Sequence, residues 1–305
     1  MKENNMNKGC ILGGGPAGLI AGYYFPEFVV YDENPLGQLN LPFIPGPRLL
    51  QKTKWFEKFI RSVLDDAGLY SYRIKTVVAS VGYEDSGTVY ANPPSEFKEK
   101  YTELTRGKSK SETSYLSEGK SKIQHLEIED MGEDSYKFLF KTLLKILDDR
   151  GQLRREKITC IEPNGYVYSD TARFYSTIIN TLNLKLLSKI WEGDHLDNYD
   201  LTTLPKCFYQ TNKGEYSKYD YIYGHTEGWS RKTYFSDYMV YESVDPINPP
   251  YPVINKFEGL PIQIQNSLDI DKIGNVRMLG RFAQWNHKIK ANEVLERVLR
   301  FTKGL

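Results

Sequence analysis

The stretch Gly9-Cys10-Ile11-Leu12-Gly13-Gly14-Gly15-Pro16-Ala17-Gly18-Leu19 reads as a short apolar strand running into a G-x-G-x-x-G turn that opens a helix. Such a turn is a cradle for the pyrophosphate of a dinucleotide. Gly13 allows the tight turn, Gly15 lets the backbone approach the phosphates, and Gly18 lets the helix sit close against the sheet. Pro16 and Ala17 begin that helix, where free N–H groups and the positive end of the helix dipole meet phosphate charge. The spacing predicts a helix over 16–25 stopped by Pro26, then a β-rich strand, Phe28-Val29-Val30-Tyr31, ending in Asp32-Glu33. An acid about twenty residues beyond the first glycine is where a ribose diol is held. Asp32 is preferred to Glu33 because it ends the strand directly.

The 305 residues suffice for two domains and a large core. With 40 basic and 39 acidic residues the net charge is close to zero, which disfavours nucleic acid as a partner and gives no attraction to an acidic membrane surface. Cys10, Cys160 and Cys207 are far apart and in no metal-ligand spacing, so they read as reduced thiols of a cytoplasmic protein, and no metal is expected. The polar opening MKENNMNK is not a signal peptide, and no apolar stretch is long enough for a membrane span.

Beyond the second strand, residues 34–47 carry turn chemistry, and 54–64 have apolar residues at helical spacing. Short strands are expected over 72–81 and 87–90. Residues 96–122 read as a solvated polar loop, because five glutamates are interleaved with seven bases; a phosphorylated or polymeric partner is the sharper alternative there. Residues 136–147 form an amphipathic helix, followed by a β-excursion over 157–168 and a buried return strand over 177–181. From 207 to 251 the strands alternate polar residues with an unusual number of tyrosines, which suits a pleated, half-exposed sheet and a substrate cavity lined by flat rings with hydroxyls at the rim. A strand over 275–279 then meets a second glycine junction, Gly280-Arg281-Phe282-Ala283-Gln284-Trp285-Asn286-His287, and a final helix runs to Arg300.

The turn GGGPAGL at 13–19, the segment DENPLGQ at 32–38 and the junction LGRFAQW at 279–285 together resemble the FAD-binding architecture shared by UDP-galactopyranose mutases, amine oxidases and protoporphyrinogen oxidases. The mutase branch is resembled most, since Gly280-Arg281 precede the aromatics Phe282 and Trp285. Gly37-Gln38 stand where family members carry Gly-Gly-Arg or Gly-Gly-Asn, Asn183 where proline is usual, and residues 288–292 where mutases have an Asp-Met pair. The resemblance implies an α/β fold: a Rossmann-type FAD-binding domain from residues 1–50, 135–187 and 258–305, with an inserted tyrosine-rich β-sheet substrate domain from 51–134 and 188–257. It implies FAD as cofactor, bound by Gly13, Gly15, Pro16, Ala17, Gly18, Asp32, Glu33, Gly37, Gln38, Gly280 and Arg281.

With FAD bound, the protein's part is orientation and electrostatics. No serine-hydrolase elbow or zinc motif is present. His287, at the start of the last helix, is a candidate proton carrier, although a histidine there is more often a satisfied helix-start residue. Arg281 suits a planar anionic partner. Arg231 is a candidate source of positive charge for an anionic substrate or reduced flavin, the plainer reading being a cross-strand ion pair. Trp285 either packs on the ring system or sits in the core. The expectation is an FAD-dependent oxidoreductase acting on a small-molecule or polymer-attached substrate, with a redox-neutral mutase of nucleotide sugars and a nucleic-acid-associated flavoprotein as alternatives.

Overall fold

The computed structural model describes residues 8–43, 49–106, 121–129, 134–193, 196–204, 206–212, 217–258, 263–264, 268–286 and 289–303. The strand Gly9–Leu12 is central to a six-stranded sheet in the order Lys272–Ile273, Val276–Met278, Thr177–Asn180, Gly9–Leu12, Phe28–Tyr31, Leu153–Arg154. All pairings are parallel except that of Lys272–Ile273 with Val276–Met278. Parallel strands buried on both faces need apolar residues at every position, and period-two alternation divides them. Ile11, Val30 and Ile179 face one core, whereas Cys10, Leu12, Val29, Tyr31 and Ile178 face another.

The first core is closed by the helices Pro16–Tyr24, Lys54–Asp66, Ser135–Asp149 and Ala291–Phe301. Two of them start on side-chain caps: Thr53 Oγ1 accepts from Phe56 N–H at 3.1 Å and Asp134 from Lys137 N–H at 2.9 Å. The opposite core is closed by the helix Leu184–Ile190 and by Ala283 and Trp285. Asn183 caps that helix through Lys185 N–H at 2.8 Å, which explains a non-proline residue at this position.

The second large sheet has nine strands. Its path runs Val253–Phe257, Cys207–Asn212, Tyr238–Ser243, Trp229–Tyr234, Tyr221–Gly224, Ile74–Asp85, Lys122–Ile128, Leu50–Gln51, with Thr88–Tyr90 paired on Ile74–Asp85. The 12-residue strand Ile74–Asp85 joins its halves, pairing with Lys122–Ile128 along its first part and Tyr221–Gly224 along its second.

Several expectations change against this frame. The helix Lys54–Asp66, expected with the substrate domain, packs in the helical layer of the six-stranded sheet because Phe56, Phe59, Ile60 and Val63 share one face. Within the expected polar loop, Phe97–Arg106 is helical. Phe97 and Tyr101 lie one turn apart, their rings stack at 5.8 Å, and they cover Tyr83 and Tyr223; surrounding charges hide this pair in the sequence. Residues 107–120 lie outside the described residues. Tyr209, Tyr221, Tyr223 and Tyr241 are buried rather than half-exposed, because the sheet is covered on both faces. The final helix begins at Ala291, after a run of turns. Among the described residues no helix is long and apolar enough to cross a membrane.

Candidate functional site

Three glycines of the first turn differ in what holds them. Gly13 has φ +102°, donates to the Tyr31 carbonyl at 2.8 Å, and an added Cβ would meet Thr181 Oγ1 at 2.6 Å. At Gly18 an added Cβ would run into the Gly13 carbonyl, as expected where helix and strand pack closely. Gly15 is different. Its φ is −75°, open to any residue, and nothing lies within 4 Å of an added Cβ. The chain itself therefore does not require glycine at 15. Gly15 caps the helix Pro16–Tyr24 without a side-chain hydrogen bond, leaving early N–H groups such as those of Ala17 and Gly18 without an intrahelical acceptor.

The acid at the end of the second strand belongs to the same constellation. Asp32 Oδ2 accepts from Gly14 N–H, and Oδ1 accepts from Asn34 N–H at 2.7 Å. Each oxygen keeps a second lone pair for a hydroxyl. Glu33 is exposed. Leu36 N–H returns to the Gly14 carbonyl at 2.9 Å, so DENPLGQ is tied to the cradle. Gly37 is exposed at the start of a 3₁₀ turn, Gly37–Asn40, which includes Gln38.

The C-terminal junction joins them. Gly280, φ +95°, lies so near the first helix that an added Cβ would meet Ala17 Cβ at 2.8 Å. Its N–H donates to Gln284 Oε1 at 3.1 Å, and Gln284 Nε2 donates to Asp271 at 2.7 Å. The next residue, Arg281, donates from Nε to the Ile289 carbonyl at 3.4 Å and stands close enough to Lys206 to act on its charge.

Lys206 belongs to a cluster on the nine-stranded sheet. Glu242 lies on the strand Tyr238–Ser243; Arg231 is directly opposite it on one neighbour, and Lys206 precedes the other neighbour, Cys207–Asn212. Arg231 Nη2 and Lys206 Nζ each bond a different oxygen of the Glu242 carboxylate. The row continues across the sheet as Tyr83, Tyr223, Arg231, Glu242, Phe208. Burial opposes ionisation of Glu242, but Arg231 and Lys206 bring its pKa down to about 2. Burial also opposes the charge on Arg231, which Glu242 and nearby tyrosines nevertheless hold above the arginine range. Lys206 is lowered by burial and by repulsion from Arg231 and Arg281, against the pull of Glu242.

The remaining candidates separate. Trp285 is fully buried with φ +52° and its Nε1 has no partner among the described residues. Fully enclosed, it offers no surface to a substrate and packs in the core with Cys10 and Leu12. His287 lies outside the described residues. Arg231 forms the cross-strand pair and also keeps one-fifth of its side chain exposed at 20%. Lys206, Glu242 and Gln284 were missed by sequence reasoning. Glu242 was within reach: counting back from the Ser236-Asp237 turn between two strands sets it opposite Arg231. A separate open cleft of about 730 Å³, lined by Thr159, Cys160, Glu162, Asn164, Tyr168 and Glu192, contains none of these residues.

No protein-family model and no curated protein matches this chain. Solved structures do. A reduced UDP-galactopyranose mutase superposes with TM-score 0.67 at 10% identity, over 98% of this chain and 96% of that one. A fatty acid isomerase from P. acnes, described as producing CLA, gives 0.63 at 11% identity over 99% of each chain. Putrescine oxidase bound to putrescine gives 0.60 at 10% identity, over 97% and 99%. At such identities the likeness is one of fold.

Proposed function

We propose that the chain is an FAD-dependent flavoenzyme in which a Rossmann-type sheet holds the dinucleotide and the inserted tyrosine-rich sheet faces the substrate. The observation that carries this reading is Gly15. Glycine stands at a helix N-terminus where neither the backbone angle nor any neighbouring atom calls for it, so the space above it suits an external group that approaches the backbone. A pyrophosphate fits that space chemically, since the first helix presents N–H donors and no side-chain cap competes for them. Ala17 and Gly18 would donate to the phosphates, Asp32 would hold the adenosine ribose, and Arg281, beside the Ala17–Gly280 contact, would face the diphosphate or the flavin edge. Bound there, FAD supplies hydride or electron-pair transfer. The fold likeness to a mutase and an oxidase supports the same reading.

The reaction we favour is oxidation or reduction of a small or polymer-attached substrate. The mutase and fatty acid isomerase likenesses favour a second, redox-neutral reading. A cytoplasmic location fits the free thiols Cys10 and Cys207, both buried.

The test is the visible spectrum of the purified chain and identification of the acid-released cofactor. FAD is expected, and release of FMN, NAD or nothing refutes the proposal. Turnover then decides the reaction: an oxidoreductase consumes an acceptor in step with substrate, whereas an isomerase needs none.

A further inference from the structure

The charges of the cluster formed by Lys206, Arg231 and Glu242 do not balance. Glu242 is sealed, with 4% of its side chain exposed, and both its oxygens are already taken. Two cations therefore share one negative charge, and Arg281 adds a third cation at the border with the cradle. Even with Arg281 assigned to the cofactor, Lys206 and Arg231 leave one unit of positive charge in excess among the described residues. Like charges held together at a partly buried site are costly without a counter-charge.

These two cations are also the members of the cluster that keep exposed surface. Lys206 keeps 21% of its side chain exposed and Arg231 20%, whereas Glu242, Tyr223 and Phe208 are buried on either side. Lys206 gives one of three donors to Glu242, and Arg231 gives Nη2, so each has donors left over. Glu242 fixes both heads in place, because each is bonded to a different oxygen of one immobile carboxylate. The Arg231 guanidinium lies 6.0 Å from the Tyr223 ring, whose apolar body borders the site. A positively charged, pre-positioned pair beside aromatic rings is what an oxyanion attached to an apolar or planar body needs. It is also what a cationic ligand cannot tolerate, since an ammonium would add to the existing repulsion.

We propose that Lys206 and Arg231, positioned by Glu242, form the seat for an anionic group of the substrate, a carboxylate or phosphate, and that the site excludes amines. Its meaning as a substrate site rests on the flavoenzyme reading; the anion seat itself does not. Matched probes separate the possibilities. Benzoate, phenyl phosphate and benzylamine share a ring and differ in the charged group, and calorimetric titration of the full chain at low ionic strength reads each. At least one of the two anions is expected to bind, with benzylamine about tenfold weaker or worse. Whichever of benzoate and phenyl phosphate binds more tightly identifies the group. Lys206→Gln should weaken the anion about tenfold and Lys206→Arg should recover most of the loss, with circular dichroism confirming the fold.

Equal or tighter binding of benzylamine, failure of both anions to bind, or a folded Lys206→Gln that binds the anion as the parent does overturns the proposal. Should the variants misfold, the ordering of the three probes on the parent decides alone. Flavin absorbance of the same samples keeps the two readings apart: a colourless protein that selects the anion loses the flavin reading and retains the seat, and a yellow protein indifferent to charge does the reverse.

Discussion

At the tip of the six-stranded sheet the shaping residues are neighbours in the chain, Gly13 to Gly18, with Asp32 one strand later. Across the nine-stranded sheet the row Tyr83, Tyr223, Arg231, Glu242, Phe208 takes one residue from each of five strands. The first region is built by backbone: turn angles, missing side chains and N–H groups. The second is built by side chains meeting across strand register. A backbone site is disturbed by adding atoms, a register site by removing charge, and the two kinds of variant should fail differently.

The largest effect is expected at Glu242. Glu242→Gln leaves Arg231 and Lys206 facing each other without their shared charge, and should cost about 3 to 5 kcal/mol of stability, read as a fall in the urea midpoint. The same carboxylate sets a pH window. Its folded pKa, about 2, lies below the ordinary carboxylate value of 4.5, so its contribution is present above about pH 4.5 and is lost as pH falls toward 2. Acid unfolding of the parent should steepen through that window, and Glu242→Gln should flatten it.

Next comes Gly18. Gly18→Ala drives a methyl into the Gly13 carbonyl, and about 2 to 3 kcal/mol should be lost whether or not cofactor is present. Asp32→Ala removes the acceptor for two N–H groups and for the ribose; FAD binding should weaken by on the order of 1 to 3 kcal/mol, measured by flavin fluorescence titration. The smallest stability effect belongs to Gly15→Val, within about 1 kcal/mol, because an added Cβ meets nothing in the chain and only a weak helix cap is changed. Flavin retention should nonetheless vanish. A Gly15→Val protein that stays yellow, or one that unfolds as Gly18→Ala does, would erase the distinction between glycines kept for the fold and a glycine kept for a ligand.

The same distinction explains what was legible in the sequence. Gly13, Gly18 and Asp32 announce their geometry because spacing along the chain is the geometry, and the parallel return strand Thr177–Asn180 followed from its apolar run. Arg231 was legible as a charge within the tyrosine-rich strands, but its partner depends on hairpin register, and Lys206 depends on a second pairing from a distant segment. Phe97 and Tyr101 were outnumbered by charges, so a helix passed for a loop. For Trp285 the sequence left two readings open. An aromatic beside a glycine junction suits ring stacking as well as core packing, and Trp285 lies in the core with Cys10 and Leu12.

The pairing of Gly9–Leu12 with Thr177–Asn180 also bears on how the chain is made. Gly9–Leu12 and its helix are synthesised long before the strand Thr177–Asn180 that pairs with one edge of Gly9–Leu12. Until then the first strand keeps a bare, apolar edge, and such an edge is open to wrong partners. Pairings so distant in sequence close slowly. Closure of the six-stranded sheet around its first strand thus waits for residues 177–180, and a nascent chain stalled before residue 177 should remain sensitive to protease at the first strand while the folded protein is not.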